Sequence, residues 1–134
     1  MRDIINTTIE KNIEMSNDIS RIKSEVKSYY YYLVDESKNS GDLKTKEILI
    51  RMVKKLQSQL RPLDTLDSDV KAHLELLKNK DINQIKDYRV VRELDSLNGR
   101  KNRICYNFTL IKKELKEAFI IKSIKFFTEE SINH

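Results

Sequence analysis

Two glycines and one proline in 134 residues leave this chain almost nowhere to turn sharply. Gly and Pro are the residues that most often punctuate secondary structure, and ordinary chains carry roughly 7% and 5% of them. Hairpin-joined strands need such turns, so their scarcity points to long helices with a few bends. The sequence therefore predicts an all-α fold. It is an elongated, antiparallel, coiled-coil-like bundle of two long helices and a Pro-kinked helix pair, forming a single helical domain over residues 1–134.

The first helix is expected from Asp3 to Lys38. With Ile5, Asn12, Ile19, Val26 and Leu33 at heptad position a, Thr8, Met15, Ile22 and Tyr29 fall at d. This 3–4 spacing holds for about four heptads, as in a coiled-coil seam. Asn12 is the polar member of that seam. Such a residue either fixes register from a buried position or lies at a frayed end. Asp18 at g and Lys23 at the next e would complement each other across a parallel dimer.

Lys38-Asn39-Ser40-Gly41 ends this helix, with Gly41 suited to the C-terminal cap and Ser40 or Asp42 to the next N-cap. A second helix is expected over Leu43–Leu60, with Leu49, Val53, Leu56 and Leu60 on one stripe. Pro62 lacks the N–H that an i−4 carbonyl needs, so the helix should stop or kink there. A third helix, Leu63–Asn79, presents Leu66, Val70, Leu74 and Leu77. Asp81-Ile82-Asn83-Gln84 resembles a capping box. It would open a last helix from Ile82 to Thr128. In that helix Val90, Leu94, Leu97, Lys101, Ile104, Phe108, Ile111, Leu115 and Ala118 keep one register. The register passes through Asn98-Gly99 unbroken, so one continuous helix is expected, with Gly99 costing about 1 kcal/mol relative to Ala.

Three surface features compete for a functional reading. Tyr29-Tyr30-Tyr31-Tyr32 covers most of a helix circumference, because successive residues turn by about 100°. One seam cannot bury all four, and Tyr is a favoured interface residue. The run is therefore a candidate partner-binding surface, or else two tyrosines pack and two lie on the bundle. The stretch from Ala118 to Phe127, with Phe119, Ile120, Ile124 and Phe127, is apolar on nearly every side. It is a candidate oligomerisation or docking tail, or a bundle end covered by the kinked pair.

The third feature is charge. The chain carries a net +5. Residues 99–125 concentrate Arg100, Lys101, Arg103, Lys112, Lys113, Lys116, Lys122 and Lys125 against Glu114 and Glu117. Arg100, Lys101, Arg103, Lys112, Lys113 and Lys116 are candidate nucleic-acid contacts. They occupy different heptad positions, and the only aromatics among them are Tyr106 and Phe108. The alternative is a plain solvated face.

Catalytic chemistry has little to work with. Histidine occurs only at His73 and His134. Asp69 and His73 are spaced for a surface helix pair, and Glu10 and Glu14 lack a third ligand. Cys105 has no activating histidine near it in sequence. Two isolated glycines cannot build a phosphate loop. We therefore expect a non-enzymatic protein–protein interaction module, self-associating or part of a larger assembly, with no catalytic residue, cofactor or metal. The alternative is a nucleic-acid-binding accessory protein that uses the basic last helix. A single thiol and the lack of a long apolar run point to the cytoplasm.

Overall fold

The computed structural model describes residues 2–79 and 86–118, which form three helices packed against one another with no strand among them. They are α1 (Arg2–Asn39), α2 (Leu43–Asn79) and α3 (Asp87–Ala118). At 1.5 Å per residue α1 is about 57 Å long. The capping box at Asp81–Gln84, the start of the last helix at Ile82 and its continuation to Thr128 lie outside the described residues.

Cross-helix contacts give the directions. Lys23 pairs with Asp64 and Asn12 contacts His73, so residue numbers fall on α2 as they rise on α1. Arg100 pairs with Asp69 and Lys55 with Glu114, so α2 and α3 also run oppositely. Asp18 pairs with Lys101 and Glu25 with Lys112, which makes α1 and α3 parallel.

The α1 seam is buried at every position from Ile5 to Leu33. It is filled by α2 and α3 of the same chain. Asp18 and Lys23, expected to complement each other across a dimer, instead bind Lys101 and Asp64 within the chain.

Helix α2 departs from expectation. The two helices expected on either side of Pro62 are one helix. Its buried residues are Leu49, Met52, Leu56, Leu63, Leu66, Val70, His73 and Leu77. They keep a strict seven-residue register, with half-buried Gln59 at the one position that is not buried. Val53, Leu60 and Leu74, expected in the stripe, are only half-buried. Pro62 lies on the exposed side. Its ring deprives only the Ser58 carbonyl of a donor, and an exposed carbonyl can turn to water. Leu56, Leu63 and Leu66, each fully buried, hold the helix to its neighbours on both sides. Tertiary packing therefore overrides a local cost of about 3 kcal/mol.

Between α1 and α2 the carboxylate of Asp42 caps α2, accepting from the Thr45 amide at 3.3 Å and its hydroxyl at 2.6 Å. These bonds hold the Asp42 carboxyl below its ordinary pKa. Gly41 does not take a left-handed conformation, so the expected glycine cap is absent and the turn rests on Asp42 and Ser40. Helix α3 runs through Gly99 without a break, as its register requires. Val90, Leu94, Leu97, Ile104, Phe108, Ile111 and Leu115 are buried along it.

The buried residues divide into two parts. A main cluster runs from Met15 to Leu33 and includes Leu49–Val70 and Leu94–Leu115. A smaller one joins Ile5, Leu77 and Val90. Between them lies a polar layer of Thr8, Asn12 and His73, all buried. The Asn12 amide nitrogen donates to the Thr8 carbonyl at 2.8 Å, and its oxygen faces His73 Nδ1 at 3.2 Å. The expected surface pairing of Asp69 with His73 is not made. His73 turns inward to Asn12, and Asp69 pairs with Arg100.

Candidate functional site

The tyrosine run divides by its place on α1. Tyr29 is a seam residue, 2% exposed, with its ring edge-on to Phe108 at 5.5 Å. It belongs to the core, which removes it from any outer surface. Tyr30 and Tyr32 are half-buried and pack against the main cluster. Tyr31 is 65% exposed and stacks edge-to-face on Tyr30 at 5.4 Å. The run thus presents one exposed ring braced by a second that the core holds. Phe119, Ile120, Ile124 and Phe127 lie outside the described residues.

The basic residues also divide. Lys101 and Lys112 face α1, where they pair with Asp18 at 3.4 Å and Glu25 at 3.3 Å. Lys112 also sits 4.6 Å above the Phe108 ring. These two cations are structural, and each such half-exposed pair contributes up to about 1 kcal/mol. Arg100 pairs with Asp69 of α2 at 2.7 Å. Arg103, Lys113 and Lys116 are exposed and make no ion pair among the described residues. Lys113 and Lys116 lie on the outer side of α3, away from the contact with α2.

An open groove of about 890 Å³ runs between α2 and α3. Its walls carry Lys54 and Arg61 from α2 and Arg100 and Arg103 from α3. Gln57, Ser58, Gln59, Thr65 and Asn107 add amides and hydroxyls, and no carboxylate lines it. Three ion pairs stand toward its two ends. At one, Glu114 is held by Lys55 at 2.7 Å and Arg51 at 3.5 Å. At the other, Asp69 is held by Arg100. The lining runs from Lys54 to Thr65 on α2 and from Arg100 to Asn107 on α3, about 17 Å and 11 Å at 1.5 Å per residue.

Lys54 and Arg61 were not among the sequence-derived candidates. Position on α2 alone does not mark them, because their meaning depends on which α3 residues lie opposite. The local composition held one signal: between Leu49 and Leu63 α2 carries four cations and no carboxylate.

Burial pushes the Cys105 thiol above its ordinary pKa, with Lys101 opposing only in part, so the reactive thiolate is disfavoured. Among the described residues no three His, Cys, Asp or Glu side chains group as a metal site would need. No helix there is long and apolar enough to cross a membrane. The chain matches no protein family, no curated protein and no solved structure with which it was compared.

Proposed function

We propose that this protein is a non-enzymatic helical interaction module that binds through its outer faces, acts without a cofactor and works in the cytoplasm. The observation that carries this reading is the Tyr30–Tyr31 pair. Tyr31 offers a large exposed ring, and Tyr30 braces it from the half-buried position below. A ring held in place loses little entropy on binding, which is how aromatic anchors become binding hot spots. The coiled-coil seam of α1 is already filled from within the chain, so association falls to this outer face rather than to the seam.

The partner tested first is a second copy. Light scattering after size exclusion, at tens of micromolar, should give a mass above the 15.9 kDa of one chain. Tyr31→Lys should return it to one chain with helicity unchanged. A strict monomer for the unaltered protein would overturn self-association.

A second reading, nucleic-acid binding, is favoured by the cationic groove between α2 and α3. It differs from the sequence expectation in its residues: Lys54 and Arg61 join Arg100 and Arg103, while Lys101 and Lys112 are engaged with α1.

A further inference from the structure

We propose that the α2–α3 groove seats the phosphate backbone of duplex DNA, with Arg61 and Arg103 gripping phosphates and Lys54 and Arg100 flanking them. The inference rests on the nucleic-acid reading and assigns it a site and a ligand class.

The charge arrangement comes first. Four cations line the groove and no carboxylate does. Asp69 and Glu114 beyond its ends are engaged by Arg100, Lys55 and Arg51, and Asp64 is engaged by Lys23. Lys54, Arg61 and Arg103 make no ion pair among the described residues, so their charge is directed at whatever enters. Three of the four groove cations are arginines, whose planar forks match phosphate oxygens in bidentate fashion. Gln57, Gln59 and Asn107 and the hydroxyls of Ser58 and Thr65 supply further donors of the kind that position a nucleic-acid backbone.

The lining also separates the anionic ligands. The groove's apolar residues are Pro62 and nearly buried Ile104, so the apolar face of an acidic protein helix would meet mainly the aliphatic stems of Lys, Arg and Gln side chains. A single strand would need aromatic platforms for its unstacked bases. No aromatic residue lines the groove, and exposed Tyr106 is not part of its wall. A duplex keeps its bases stacked and offers only its phosphate ridge. The lining's span of about 17 Å along α2 matches about five nucleotides of one strand at 3.4 Å each.

The test is fluorescence anisotropy with a labelled mixed-sequence duplex of about 20 base pairs, titrated by the full chain at several salt concentrations. Three phosphate contacts, from unpaired Lys54, Arg61 and Arg103, predict a log–log salt slope of about −2.7, or a loss of affinity of about 40-fold between 50 and 200 mM salt. Arg61→Gln with Arg103→Gln should weaken binding at least about tenfold and reduce the slope by about 1.8. Lys54→Gln with Arg61→Gln is a second groove pair, should the first disturb helicity. Lys113→Gln with Lys116→Gln removes the same charge from outside the groove and should stay within about threefold of the unaltered protein.

Absence of duplex binding by the unaltered protein at low salt would overturn the nucleic-acid reading and the site together. Binding that survives both groove pairs, or falls equally with Lys113 and Lys116, would overturn the site alone. Tighter binding to an unstructured single strand or to polyglutamate would overturn the duplex as the ligand.

Discussion

Asn12 of α1 and His73 of α2 meet in the interior of the bundle, Oδ1 to Nδ1, at 3.2 Å. The Asn12 amide nitrogen donates to the Thr8 carbonyl, so its oxygen is left to accept. His73 therefore donates from Nδ1, and its burial disfavours the charged imidazolium. The pair occurs once along two seams whose only other polar members are Thr8 and Gln59, so sliding α1 against α2 by a heptad would part Asn12 from His73. Removing one partner should cost about 1–3 kcal/mol, because the other is left buried and unsatisfied. Asn12→Leu and His73→Leu should each lower the urea midpoint, and the double variant should recover most of the loss. Additive losses in this double-mutant cycle would show that the two side chains do not act as a pair.

His73 also makes stability depend on pH. Burial holds its pKa below the ordinary histidine value, with Glu93 opposing. The unfolded chain therefore takes up this proton at a higher pH than the folded one does. The contribution is intact above the unfolded pKa of about 6.5 and is lost as pH falls below it toward the depressed folded value. Urea midpoints should fall between about pH 7.5 and pH 5. The fall should be smaller in the Asn12→Leu/His73→Leu variant. Equal falls in both proteins would place the proton uptake elsewhere.

Pro62 tests whether α2 is one helix. Within a helix, Pro62→Ala restores a donor to the Ser58 carbonyl and relieves the ring clash. It should raise stability by about 1–3 kcal/mol after the lost rigidity of the unfolded chain is offset. A junction between two helices would gain nothing. Chemical denaturation separates the two outcomes.

Gly99 gives a similar test of α3. Its φ is not positive, and a methyl group added there meets no atom within 4 Å. Gly99→Ala should stabilise by about 1 kcal/mol and raise Tm by about 4 °C. No change, or a loss, would contradict an unbroken helix at this point.

The seams of α1 and α3 were legible because nearly every position is apolar and the 3–4 spacing is regular. The α2 seam was not. Two of its positions are Gln59 and His73, and apolar Val53, Leu60 and Leu74 stand beside it as decoys. Pro62 then read as a boundary, since local propensity carries no information about the packing of Leu56, Leu63 and Leu66. The groove was hidden for a related reason. Arg100 and Arg103 stood out within a basic segment, but which cations face α1 and which face the groove depends on helix register. Cross-helix pairs such as Lys101–Asp18 set that register from residues 83 positions apart.

The tyrosine run offers a sharp contrast between neighbours. Tyr29→Lys would bury a charge against Phe108 and should unfold the protein or cost more than about 3 kcal/mol. Tyr31→Lys should change stability by less than about 0.5 kcal/mol. Circular dichroism under thermal and urea denaturation reads both. Equal effects would mean that the run does not divide between core and surface.

In the proposed function the helix seams are filled within one chain and association uses the outer face. Thermal unfolding of Tyr31→Lys across a hundredfold range of protein concentration tests it most directly. A bundle complete within one chain gives a Tm independent of concentration. A Tm that climbs with concentration would mean that the seams close between chains, and would contradict the claim.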